Sequence, residues 1–73
     1  MSHMEKEMLR YIINFKMVNG FAPTRSEIKK GMNTKSDQWV DEILNRLEEQ
    51  GAITKCDNKP RTIVVLQFPN DCI

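Results

Sequence analysis

Residues 24–36 carry Arg25, Lys29, Lys30 and Lys35 against a single acid, Glu27. Residues 37–51 then reverse the sign, with Asp37, Asp41, Glu42, Glu48 and Glu49 against Arg46. A basic segment of the first kind can neutralise phosphates along a polyanion, even in a chain whose formal net charge is only +1. The commoner origin of such runs is a solvated helix face, so charge alone decides nothing.

Catalytic chemistry finds no comparable support. The single histidine is His3, the two cysteines are Cys56 and Cys72, and no Gly-rich phosphate loop is present. Asp41 and Glu42 are adjacent, so on a helix they diverge by about 100° and cannot share one substrate. The same inventory is too small for a zinc site or a disulfide framework, and both cysteines are expected to be reduced thiols. No enzyme, metal or cofactor is expected.

Seventy-three residues, 40% hydrophobic and 29% charged, make one small globular domain. No apolar run approaches the ~20 residues that span a bilayer, and no signal-peptide core is present. A cytoplasmic protein is expected, without membrane contact.

The elements that must carry the charges are legible from periodicity. Met1-Ser2-His3-Met4 resembles a leader left by an expression vector, and residues 1–4 are set aside as such or as a flexible start. Met8, Ile12 and Phe15, widened by Leu9, Ile13 and Met17, predict an amphipathic helix from Glu5 to about Asn19. Gly20 stops it, and Pro23 keeps Phe21-Ala22-Pro23 extended. Thr24-Arg25-Ser26-Glu27 is a capping box opening a short second helix, with Ile28 and Met32 apolar and Asn33 suited to a left-handed end. Ser36 or Asp37 caps a third helix to Gln50, with a seam of Val40, Ile43, Leu44 and Leu47. Gln38, Glu42, Asn45 and Glu49 lie opposite that seam. Beyond Gly51 the period changes to strands at 52–55 and 62–66, joined by turn chemistry at Asp57-Asn58-Lys59-Pro60.

The expected fold is therefore mostly α with a small β-hairpin: a winged helix-turn-helix of three helices and a two- or three-stranded antiparallel wing. It spans residues 5–66, with residues 67–73 as a C-terminal tail in which Phe68 and Ile73 either close over the sheet or seed a dimer contact. In such a fold the second helix of the pair can enter a major groove about 12 Å wide, while the first helix and the wing approach phosphates.

The run Gly20-Phe-Ala-Pro-Thr-Arg-Ser-Glu-Ile28, followed by Ser36 and by Leu44 through Ile53, resembles the DNA-binding domain of the LexA repressor family. The resemblance implies an operator-binding regulator of bacterial or phage origin, with helix 36–50 in the major groove of double-stranded DNA. Carried over by position, the base-facing set is Ser36, Gln38, Trp39, Asp41 and Glu42. Trp39 departs from the family, which carries a small residue there. Arg25, Lys29, Lys30 and Lys35 become phosphate contacts, and Lys59 and Arg61 the charges of the wing. The family's repressor continues into a self-cleaving domain. Here Phe68-Pro-Asn-Asp-Cys-Ile73 does not read as a linker, which leads us to expect a stand-alone domain, encoded by a mobile element.

Two functions follow from these residues. One is a DNA-binding transcriptional regulator, whose small reading surface calls for a homodimer on two half-sites. The other is an adaptor on a winged-helix scaffold, a phage or plasmid modulator that captures a host regulator through Trp39 and the acidic helix. Trp39 at the border of the core seam fits either a cap on the core edge or an exposed anchor. Tyr11 is open to half-buried packing or to a phosphate contact.

Overall fold

A computed structural model describes residues 2–56 and 61–67, and contains helices α1 (His3–Asn19), α2 (Arg25–Gly31) and α3 (Asp37–Glu49). Strands β1 (Ile53–Thr54) and β2 (Val64–Val65) follow.

Helix α1 begins two residues before the expected Glu5. Ser2 caps it: its hydroxyl oxygen accepts from the Glu5 amide at 3.3 Å and its O–H donates to the Glu5 carboxylate at 2.9 Å. This reciprocal pair fixes the first turn, so the helix takes in His3 and Met4. The Gln50 side-chain amide donates to the same carboxylate from the far end of α3. Those hydrogen bonds, Gln50's first and Ser2's second, hold the buried Glu5 carboxyl below the usual range. At the other end Gly20 takes φ +81°, and its N–H donates to the Lys16 carbonyl.

The capping box forms as expected. The Glu27 amide donates to the Thr24 hydroxyl at 3.3 Å and the Thr24 amide donates to the Glu27 carboxylate at 2.8 Å. Helix α2 ends in a left-handed turn at Asn33 (φ +57°), where the amides of Asn33 and Thr34 reach back to the carbonyls of Lys30 and Lys29. Helix α3 ends the same way at Gly51 (φ +76°), with Gly51 and Ala52 donating to Glu48 and Leu47. Both are Schellman closures, and each aims the chain into the next element.

One face of each helix meets in a common core of Met8, Leu9 and Ile12 from α1, Ile28 from α2, and Val40, Ile43, Leu44 and Leu47 from α3. Ala52, Ile53 and Ile63 extend it under the strands. Each fully buried Leu or Ile contributes roughly 1.5–3 kcal/mol, which a domain of this size needs from nearly all of its core positions.

The two strands pair antiparallel, Ile53 with Val65 and Thr54 with Val64. They are shorter than expected because at Cys56 a side chain replaces the ladder. The Thr62 hydroxyl accepts from the Cys56 amide and donates to its carbonyl, each at 3.0 Å. The Ala52 carbonyl anchors the return, accepting from the amides of Leu66 and Gln67. Three helices with a two-stranded antiparallel hairpin make a winged helix-turn-helix.

Candidate nucleic-acid interface

Helix α3 is set by Ser36, whose hydroxyl accepts from the Trp39 amide at 3.1 Å. This use of Ser36 as the cap engages the oxygen that was expected to face bases. The seam of α3 is buried, which turns Gln38, Glu42, Asn45 and Glu49 to the opposite, exposed side.

Two of the expected phosphate ligands instead bridge the pair of helices. Arg25 Nε lies 2.7 Å from the Asp41 carboxylate, and Lys29 Nζ lies 2.9 Å from Asp37. Lys29's hydrogen bond, its charge, and then the charge of Arg25 keep the Asp37 carboxyl below its ordinary range. The pairs align α2 across α3, and they occupy Asp41 as well. Acids within one helical turn of a basic segment were visible in the sequence, but which cation each would meet was not.

Lys30 and Lys35 remain exposed, with no carboxylate partner among the described residues. Together with Lys29, Asn33 and Thr34 they line a shallow concavity at the turn between α2 and α3. The turn is stiffened by the Asn33 closure and by the Ser36 amide, which donates to the Thr34 hydroxyl at 3.2 Å. A rigid, concave, cationic turn beside an exposed polar helix face suits a duplex backbone.

Arg61 turns inward. Its guanidinium donates twice to the Glu27 carboxylate, at 2.8 and 3.2 Å, and once to the Ala22 carbonyl at 3.1 Å. It also lies 4.3 Å from the centre of the Phe21 ring, a cation–π contact. Arg61 therefore fastens the wing to the segment that enters α2, and Glu27 serves both the cap and the wing. These hydrogen bonds, Arg61's first and Thr24's second, hold the Glu27 carboxyl below its usual range. Lys59 and the remainder of the hairpin turn lie outside the described residues, as do Phe68, Cys72 and Ile73.

Trp39 is half-buried and packs against the hydrophobic core, the core-edge alternative left open by its position in the seam. Tyr11 also packs inward. Its hydroxyl donates to the Glu27 carbonyl at 3.0 Å, and burial, then the Glu27 charge, push its pKa up. Packing of both rings was among the roles their positions left open, whereas the Tyr11–Glu27 hydrogen bond, between residues 16 apart, was not visible in the sequence.

These features define a winged helix-turn-helix domain with one exposed polar helix face and one exposed cationic turn. The LexA DNA binding domain family matches residues 1–62, and the chain belongs to that family. It is thus a DNA-binding domain of the LexA type. The LexA repressor of Zymomonas mobilis subsp. mobilis is 30% identical over 67 residues, covering 92% of this chain and 31% of the repressor. That of Erythrobacter litoralis is 29% identical, covering 94% and 30%. That of Carboxydothermus hydrogenoformans is 33% identical over 63 residues, covering 86% and 31%. The chain spans about a third of the length of these relatives. Among the described residues, no helix is long and apolar enough to cross a membrane.

Proposed function

We propose that this domain binds operator DNA as a transcriptional repressor, with α3 in the major groove and the turn before it on the flanking phosphates. The observation that carries the reading is the adjacency of two surfaces: the exposed row Gln38–Glu42 and the cationic turn of Lys30 and Lys35. Gln38 and Glu42 approach base edges, while Asp41 acts by holding Arg25 in position. Arg25 and Lys29 reach phosphates only by exchanging a carboxylate for them. Trp39 supports the groove face from beneath and is not an anchor for a protein partner. Few contacts are available to one copy, so two copies on two half-sites give tight binding. Such a regulator works in the cytoplasm, where its DNA is.

The test is the double reversal Lys30→Glu with Lys35→Glu, assayed on a mixed-sequence duplex by gel retardation with the fold checked by circular dichroism. Both residues are exposed and have no carboxylate partner among the described residues, so the fold is expected to persist. Affinity is expected to drop by about tenfold or more at low salt. Unchanged retention on DNA would refute the proposed docking.

A further inference from the structure

Gln38, Glu42 and Asn45 stand at i, i+4 and i+7 of α3, all exposed, and none bonds another described residue. Of the side chains flanking this row, three are engaged, and Arg46, one turn beyond Glu42, is exposed. On the α2 side Asp37 and Asp41 hold Lys29 and Arg25, and on the other side Trp39 packs against the core. The row, with Arg46 and Glu49 beside it, thus keeps its hydrogen-bonding groups available among the described residues. Asn45 is its least explained member. Asparagine is a poor residue for a helix interior, and here it makes no local bond that offsets the cost.

Its chemistry suits a base edge. A carboxamide sets a donor beside an acceptor, the arrangement that adenine N7 and N6 complement in the major groove, whereas the Glu42 carboxylate accepts only and matches the amino group of cytosine. From Gln38 to Asn45 the helix rises about 10 Å, roughly three base-pair steps. Glu49 follows on the same exposed face, and its carboxylate, which phosphates would repel, ends the stretch suited to bases.

We infer that Asn45 is a specificity-determining residue, reading adenine through paired hydrogen bonds and carrying the readout about two helical turns beyond Gln38. The inference rests on α3 being the groove-facing helix.

The test is selection from a randomised duplex library by the 73-residue protein and by Asn45→Ala, with thermal melts of both. The variant should melt no lower than the parent. Adenine preference should vanish from one selected position, with discrimination there reduced about tenfold, while other positions and the salt dependence of binding stay as they were. Identical selected sequences for both proteins would overturn the role of Asn45 and leave DNA binding standing. So would a weaker salt dependence with unchanged sequences, which marks a phosphate contact. Failure of the parent to bind any duplex would overturn both readings.

Discussion

Arg25 Nε and the Asp41 carboxylate lie 2.7 Å apart across the two helices of the helix-turn-helix. The same side chains that suit phosphates are thus held by acids of α3, and under the proposed docking those acids would compete with DNA for them. Both partners are about half exposed, so the pair adds little to stability. Under the proposed docking its effect falls on binding instead.

Asp41→Asn is expected to free Arg25 for a phosphate and to strengthen binding to duplexes of any sequence. The slope of log affinity against log salt should steepen by about 0.9, one added contact. Glu49→Gln removes the same charge without releasing a cation and should leave the slope unchanged. Equal slopes for the two variants would contradict the competition.

Tyr11 and Gly31 form a second dependence. A Cβ on Gly31 would run into the Tyr11 ring, and that ring is tethered through its hydroxyl to the Glu27 carbonyl. Gly31→Ala should therefore destabilise by about 1–3 kcal/mol despite alanine's better helix propensity. In a Tyr11→Ala background the same change should stabilise by up to about 1 kcal/mol. Denaturant melts of the four proteins test this reversal of sign.

These examples mark where sequence reading succeeds and stops. The stop at Gly20, the Thr24–Glu27 box, the Ser36 cap, the Asn33 turn and the Val40–Leu47 seam are local or periodic, so residue types within a few positions determine them. Arg61 with Glu27, 34 residues apart, and Gln50 with Glu5, 45 apart, depend on how finished elements dock. The same holds for the candidate site. The exposed face of α3 was legible from helical period, whereas the pairing of Arg25 and Lys29 was not.

Trp39→Ala is expected to lower stability by about 2 kcal/mol, because the ring is half-buried against the core. For a domain this small that corresponds to a fall in Tm of roughly 8–16 °C. Duplex affinity measured well below the melting range should fall by only about the fraction unfolded. Unchanged stability with lost binding would make Trp39 a contact residue instead.

The carboxyls of Glu5, Glu27 and Asp37 are all held below their ordinary range, by Gln50, Arg61 and Lys29 respectively. Below that range the unfolded chain binds more protons than the folded one, so their contribution is complete above about pH 5 and is lost as pH falls through the lowered values. Tm should be level from about pH 8 to 5.5 and decline below about 4.5. Glu27→Gln should lower the plateau and flatten the acid limb. A decline confined to pH 6–8 would contradict this assignment.

The central claim is that the cationic turn before α3 docks on duplex phosphates. Fluorescence anisotropy of a labelled mixed-sequence duplex, titrated with the protein from about 20 to 200 mM salt, tests it most directly. With Lys30 and Lys35 engaged, log affinity should fall linearly with log salt at a slope of about −2 or steeper, and in the Lys30→Glu, Lys35→Glu protein the slope should be shallower by about 2. No binding at the lowest salt, or binding indifferent to salt, would contradict the account.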